Sequence, residues 1–558
     1  MAMNAKEIED AYLEKPSRLK TSSGIPVKEV YTPDDLKDID YAKDISNPGE
    51  FPFTRGVHSN MYRGKLWTKR QQWGHGSPED TNRGLKLLIS QGSTGVSLYR
   101  DLPTAIGIDP DHPMAKGEVN AVGTSLCSVD DMMMATNDLP LDKLSVSILC
   151  ASCPAIVVLA QYIAVAEARG IDRSKLRGQT TNDPLVGHFC YAKEANPPQL
   201  GIKISTDIIE YCAKYMPSWN PMYVSAFYNW REAGALTAPQ EIGFGLSVAL
   251  AFIQGALQRG IDIDYTAPRA SIYAQAGIDI FEEVAKLRAM RRIWARLMKE
   301  RFGAKDPKSW RLRIAVQTTG SELVPQQPIN NIVRIAYQQL AAVLGGVQSI
   351  TSSTYTEPIC LPTKDAHTSA LRSMQILAHE TGVPIVADPL AGSYYVEYLT
   401  NEIEKEAVKI LDDIEGRGGI IKAIESGWME REFEESIMRY QKEIESKERI
   451  IVGVNAYTSP PEEDILPGGV LRVAEHSEQV QIAKIKELKK SRDNSKVKEV
   501  ITELRKGAEK GENENLIPYV IKAVKGYATI EEIMGTIREA YGYSYDPLNI
   551  RTSPFQGV

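Results

Sequence analysis

The stretch Leu144–Thr181, LSVSILCASCPAIVVLAQYIAVAEARGIDRSKLRGQTT, decides the fold. Leu144–Cys150 reads as a short strand, residues 155–170 (AIVVLAQYIAVAEARG) as a helix, and Leu176–Thr181 as a second strand. Strand, helix and strand in so short a span make a parallel βαβ unit. The alternation continues from about residue 90 to 400, through the strand-like runs Gly95–Asp101, Tyr223–Asn229, Ala270–Gln275, Leu312–Thr318, Val347–Ser353 and Pro384–Asp388. Helical stretches such as STDIIEYCAKYM (205–216) and NNIVRIAYQQLAAVLGG (330–346) lie between them. Eight strands, each followed by a helix, predict an α/β fold of the (β/α)8 TIM-barrel class. An open doubly wound sheet is the competitor. No GxGxxG or Walker A loop supports it, since IGFGLSVA (242–249) lacks a third glycine and follows no strand.

One face of these strands is unusual for a barrel, whose interior is normally filled by Val, Ile and Leu. Ser145, Ser147, Ser225, Ser271, Gln317, Thr319, Ser349, Thr351 and Ser353 recur at alternating positions. If that face points inward, the barrel is hollow and lined by hydroxyls, and an extended polar ligand can thread it. Alternatively these residues lie near strand ends and bond to the backbone.

The flanking segments divide the chain. Residues 1–90 are punctuated by Pro and Asp and read as an extended N-terminal arm, and residues 91–400 form the barrel. Residues 401–456 are a helical closing segment, and 457–558 a charged helical extension whose Lys and Glu are expected on solvated helix faces.

Composition bounds the function. Of the 558 residues, 43% are hydrophobic and 25% charged, as in a soluble globular protein. A net charge of −7 offers nucleic acid no basic face. No apolar run reaches membrane-spanning length, and the opening residues MAMNAKEIEDAYLEK are charged rather than signal-like, so a cytoplasmic protein without a membrane partner is expected. The six cysteines are thinly spread and read as reduced thiols. Cys150-Ala-Ser-Cys153 is a lone CxxC, open to a redox or zinc role but favoured as buried small residues at a strand-to-helix junction; no metal site is expected.

Several longer motifs carry a family resemblance. FPFTRGVHSNMYRGKLWTKRQQWG (51–74), EDTNRGLKLLISQGSTGVSLYRDLPT (79–104), GIDPDHPMAKGEV (107–119), APRASIYAQAGIDIFEEVAKLRAMRRIWARLMKERFGAKDPKSWRLR (267–313), ADPLAGSYYVEYLT (387–400) and IVGVNAY (451–457) resemble the large subunit of adenosylcobalamin-dependent acyl-CoA mutases. The resemblance spans about residues 45–456, and the organisation is most similar to the 2-hydroxyisobutyryl-CoA mutase branch. It implies a barrel threaded by the pantetheine of an acyl-CoA, with adenosylcobalamin capping the carboxyl ends of the strands and a radical 1,2-rearrangement of the acyl group. It also implies a separate small cobalamin-binding subunit in an α2β2-type hetero-oligomer. The family's cobalamin motif, D-x-H-x-x-G, has no counterpart here: Asp365-Ala-His-Thr-Ser-Ala370 lacks the glycine, and His367 is expected to be a surface or helix residue.

The resemblance also implies roles. Met61, Lys65, Thr68, Arg70, Ser97, Arg100, Thr181, Arg269, Gln317, Gln348 and Ser353 are expected to hold the acyl-CoA, and Glu232, Gly320 and Glu357 to meet the cofactor. On its own, Arg70 reads equally as a surface ion pair or a phosphate contact, and Glu232 as a carboxylate at a helix N-terminus. Gln72, Tyr99, Tyr191 and Asn229 are the expected catalytic set, and there the chain departs from the family. A histidine that bonds the thioester carbonyl is Asn229, a tyrosine near the reacting carbon is Gln72, the arginine that pairs with the methylmalonyl carboxylate is Tyr191, and another active-site histidine is Ala315. Tyr99 and Arg100 stand where acyl specificity varies. With Tyr191 unable to read a free carboxylate, the expected substrate is an acyl-CoA other than methylmalonyl-CoA. Asn229 retains a donor N–H but cannot deliver a proton. A degenerate site, a non-catalytic CoA-binding subunit and a barrel lyase of another class remain the alternatives.

Overall fold

In the computed structural model, which describes residues 19–461, 464–466, 469–474 and 476–555, nine parallel strand segments form one nearly closed barrel. They are β1 Thr68–Trp73, β2 Gly95–Tyr99, β3 Val146–Leu149, β4 Gly178–Thr180, β5 Trp219–Asn220, β6 Met222–Val224, β7 Ala270–Ala276, β8 Arg313–Thr318 and β9 Ser349–Thr351. Their order is β5-β4-β3-β2-β1-β9-β8-β7-β6. The edge segments β5 and β6 are consecutive in the chain, with only Pro221 between them. Lacking an N–H, Pro221 interrupts the ladder, so β5 pairs with β4 and β6 with β7. The α/β barrel is the expected TIM type, with one of its strands split. The charged opening residues 1–18 lie outside the described residues.

Three strand expectations change. The barrel begins at β1, TKRQQW, inside the segment read as an arm. Its apolar signal is missing because both faces carry polar work: Arg70 and Gln72 face the lumen, while outward Gln71 meets His367 Nδ1 at 3.1 Å. Pro384–Asp388 is not a strand. Val383–Ile385 forms a 3₁₀ turn, Asp388 has φ of 48°, and Ile385 and Val386 are exposed. The run Tyr223–Asn229 is strand only to Val224, and Asn229 belongs to the helix Ala226–Gly234. Asp183 starts that helix by accepting from the N–H groups of Ser225 (2.8 Å) and Ala226 (2.7 Å).

Alternation along the strands sorts two environments. Val96, Leu98, Val146, Ile148, Ile272, Ile314, Val316 and Ile350 turn outward into two apolar cores shared with the surrounding helices. The inward face is polar, as the serine and threonine pattern implies, but it is not hollow. Tyr223 and Tyr273, buried with ring centroids 5.2 Å apart, occupy the lumen together with Arg70. The backbone-bonding alternative holds for Ser353, whose Oγ donates to Thr318 O (2.7 Å), whereas Ser145 and Ser147 accept from Arg70 and Gln179, side chains that help to fill the lumen.

The helix Ala238–Gln258 corrects the expectation about apolar runs: by length and composition it is long enough to cross a membrane. It is a core helix here, 78% of its apolar window buried and packed along the helix Tyr394–Gly416. The helix Ala155–Ala168 is buried at every position from Ala155 to Ala166, because the helix Ile517–Lys525 of the C-terminal segment covers its outer side. At the other end of the chain, Arg291 donates to Phe53 O (3.0 Å) and Thr54 O (2.8 Å) and fastens residues 53 and 54 to the barrel.

Candidate active site

A cavity of about 640 Å³ opens at the carboxyl ends of the strands. This is the face where TIM barrels place chemistry. Its floor is a lumen network: Gln72 Nε2 donates to Gln317 Oε1 (2.5 Å) and lies 3.1 Å from Tyr273 OH, which itself donates to Gln317 Oε1. Tyr228 packs on Tyr273 with ring centroids 5.1 Å apart. These tyrosines were missed as site residues. Their signal was present, since Tyr223 and Tyr273 stand in phase with Ser225 and Ser271 on the inward face.

The expected site residues fall into three levels along the barrel axis. Thr68, Arg269 and Gln348 sit at or just before strand starts, at the amino-terminal end. There Thr68 N donates to Gln348 O (3.0 Å), Gln348 Oε1 accepts from Ile314 N (2.9 Å), and Arg269 Nη2 donates to Pro217 O (3.0 Å). On the short helix Met61–Gly64 that leads into this end, Met61 is buried with its sulfur against Gly56, where a Cβ would approach to 2.6 Å; Lys65 beyond it is exposed. The middle level holds Ser97 and Arg70. Arg70 is 5% exposed, donates to Val96 O (2.7 Å) and Ser145 Oγ (3.0 Å), and has no carboxylate partner among the described residues, so it is a buried cation and not a surface ion pair. Burial pushes its pKa down.

The upper level lines the cavity: Gln72, Tyr99, Arg100, Thr181, Tyr191 and Asn229, with Gln317, Ser353, Glu232 and Glu357. Thr181 Oγ1 is buried without a protein partner. Asn229 Nδ2 donates to Ser225 O (3.0 Å), which spends one amide hydrogen and leaves a second N–H and the Oδ1 acceptor. Arg100 is 2% exposed and lies over two rings, Tyr99 at 4.8 Å and Tyr191 at 4.5 Å. The CxxC cysteines are free and buried at the end of β3, and burial pushes Cys150 up and Cys153 to about 12.

Two carboxylates face one glycine at the rim. Glu232 accepts from Gln275 Nε2 (2.6 Å), Thr319 Oγ1 and Ser321 N (2.6 Å). Glu357 is pushed up to about 7, first by burial and then by the Glu232 charge, against hydrogen bonds from Ser353 and Thr354 that lower it. A Cβ on Gly320 would come within 2.9 Å of Glu357 Oε1 and 3.1 Å of Glu232 Oε1. The missing side chain thus leaves a polar cradle. It fits the hydroxyl- and amine-bearing face of an adenosyl group, and His75 and His367, each with a buried Nε2 that has no partner, line the same cavity. His367 is a helix residue as expected, but it is buried: it stacks on Trp73 at 4.7 Å and burial lowers its pKa to about 3.

Comparison with known proteins bears on this arrangement. The family model described as methylmalonyl-CoA mutase matches residues 20–543. The 2-hydroxyisobutanoyl-CoA mutase large subunit of Aquincola tertiaricarbonis is 39% identical over 534 residues, 95% of this chain and 93% of that protein. The methylmalonyl-CoA mutase of Rhizobium meliloti (strain 1021) is 38% identical over 553 residues, 97% of this chain and 76% of that protein. The human mitochondrial methylmalonyl-CoA mutase is 35% identical over 522 residues, 94% of this chain and 68% of that protein.

Proposed function

The chain belongs to the methylmalonyl-CoA mutase family, and from that premise we propose that it is the substrate-binding, catalytic subunit of an adenosylcobalamin-dependent acyl-CoA mutase. Its acyl group differs from methylmalonyl, and a small cobalamin-binding subunit completes a hetero-oligomer of α2β2 type in the cytoplasm. The observation that carries this reading is the ordering of the site residues along one axis, from Thr68 through Arg70 to Gln72 on β1 alone. An extended thioester meets such a series in sequence: its tail at the strand starts, its pantetheine along the polar lumen once Tyr223, Tyr273 and Arg70, which fill it here, make way, and its acyl group in the upper cavity. The 93% coverage of a relative named as a large subunit supports a partner chain. The altered acyl wall at Gln72, Tyr191 and Asn229 supports a different acyl group.

Adenosylcobalamin, when bound, supplies the radical chemistry that removes and returns a hydrogen atom. This chain does the rest. Gly320, Glu232 and Glu357 hold the adenosyl face, the Gln72–Tyr273–Gln317 floor positions the acyl group, and the second Asn229 N–H polarises the thioester oxygen. The pantetheine in the lumen, packed by Tyr223 and Tyr273, keeps water from the reacting carbons.

The test is reconstitution of the full chain with a small cobalamin-binding subunit and adenosylcobalamin, followed by an acyl-CoA screen with mass spectrometry of isomeric products. Turnover of at least one acyl-CoA, dependent on both proteins, is expected. Tight acyl-CoA binding with no turnover of any thioester would favour a non-catalytic binding subunit.

A further inference from the structure

Arg100 is a cavity-lining cation that no carboxylate among the described residues answers. It is 2% exposed, and among the described residues no carboxylate lies within ion-pair distance of it. Its nearest acid in sequence, Asp101, is spent on the N–H groups of Thr104 (3.0 Å) and Asn120 (3.0 Å), capping the helix Leu102–Ile106. Its other neighbours are uncharged: burial pushes the Tyr191 phenol and the Cys150 thiol up. Its Cζ lies over the Tyr99 and Tyr191 rings at 4.8 and 4.5 Å, and the two phenols and the Cys150 thiol are its neutral hydrogen-bonding neighbours. Nε has no partner. A guanidinium offers its hydrogens as a planar fork, the geometry that binds a carboxylate in bidentate fashion. A buried cation without a counter-charge is costly, and the cavity it lines is where an anion can reach it.

We propose that Arg100 is a specificity-determining residue that pairs with a carboxylate on the acyl group, so that the natural substrates are CoA thioesters of dicarboxylic acids. This rests on the acyl-CoA mutase reading and deepens it. A tyrosine at 191 does not leave an acyl carboxylate unpaired, because it serves as a stacking platform for a cation carried by the neighbouring loop after β2. What separates the substrate from methylmalonyl-CoA is then the shape of the wall formed by Gln72, Tyr99 and Asn229, not the absence of a charge.

Isothermal titration calorimetry of the full chain with coenzyme A, butyryl-CoA and freshly prepared succinyl-CoA tests this without cofactor or partner. Succinyl-CoA replaces the terminal methyl of butyryl-CoA by a carboxylate. The wild type should prefer succinyl-CoA by roughly ten- to hundredfold, the range of a hydrogen-bonded charge pair. Arg100→Met should abolish that preference while coenzyme A and butyryl-CoA bind within about twofold of wild type; Arg100→Lys should retain part of it. If the Met variant fails to fold, Arg100→Gln carries the same comparison. Equal wild-type affinity for the two thioesters overturns the proposal, as does a preference that survives the loss of the guanidinium. If coenzyme A and both thioesters all fail to bind the wild type, the acyl-CoA reading itself falls and takes this inference with it.

Discussion

Asn229 and Glu357 show how single side chains are tuned in this cavity. One amide hydrogen of Asn229 is held by Ser225 O at 3.0 Å, which fixes the plane of the amide and aims what remains. Asn229→Ala should therefore lower kcat of the reconstituted complex more than it raises KM, because polarisation matters most as the carbonyl takes on radical character. A donor lost from a dry site slows the step about a hundredfold. Asn229→His should impair the native reaction as well; full activity of both variants in steady-state assays would remove residue 229 from the chemistry. Glu357 makes a prediction about pH. Its carboxyl titrates at about 7 in the fold, against 4.5 when unperturbed. The folded state therefore keeps a proton that the unfolded chain has released. The stability from this group is fully present below pH 4.5 and is lost as pH rises through about 7. Glu357→Gln should match wild type in thermal melts near pH 4.5 and be more stable at pH 8, by an amount on the order of 1–3 kcal/mol. An equal difference at both pH values would mean that the substitution acts through packing instead.

The elements explain which features of the fold were legible and which were not. β3 and β7 could be read because each alternates a lumen residue with an outward apolar one, Ser147 with Ile148 and Ser271 with Ile272. β1 could not, because Gln71 faces a buried histidine instead of an oily helix, and the strand carries no apolar period at all. The segment around Pro384–Asp388 misled for the opposite reason: its apolar run belongs to an exposed turn after the helix Lys364–His379. After β6, the sequence AFYNW is compatible with strand or helix, and Asp183 decides by capping the helix from a distant loop. That capping puts Asn229 and Glu232 three residues apart on one helical face, one toward the floor and one toward the rim. The site was legible by type and by level along the axis. Its charge balance was not, because the stacking of Arg100 on Tyr191 joins residues from separate loops, and no local pattern records it.

At the scale of the whole molecule, the C-terminal segment is part of the barrel's core and not an appendage to it. The helices His476–Ser491, Asn494–Ala508, Ile517–Lys525 and Ile530–Ala540 share one apolar cluster with β2, β3 and the helix Ala155–Ala168. Most of their lysines are solvated as expected, but some polar side chains are used inward: Lys489 pairs with Asp109 (2.9 Å) and Asp111 (3.1 Å), and Gln481 Nε2 donates to Asp131 (2.8 Å). The helix Ala155–Ala168 carries no polar face to present to water, since Ile156, Val157, Leu159, Ile163 and their neighbours are all buried. Removing residues 475–558 would bare that helix and delete Val520, Ile521, Val524, Ile530, Ile533 and Ile537 from the shared core. At about 1.5–3 kcal/mol for each buried aliphatic side chain, the loss is comparable to the whole net stability of a domain, about 5–15 kcal/mol. The truncated chain should therefore aggregate, or lose its cooperative thermal transition, even though every strand of the barrel and every residue of the cavity is retained. Size-exclusion chromatography and circular dichroism of a chain ending at residue 474 check this. A soluble species with an unchanged melting transition would mean that the barrel is stable alone and that the terminal helices merely shield it.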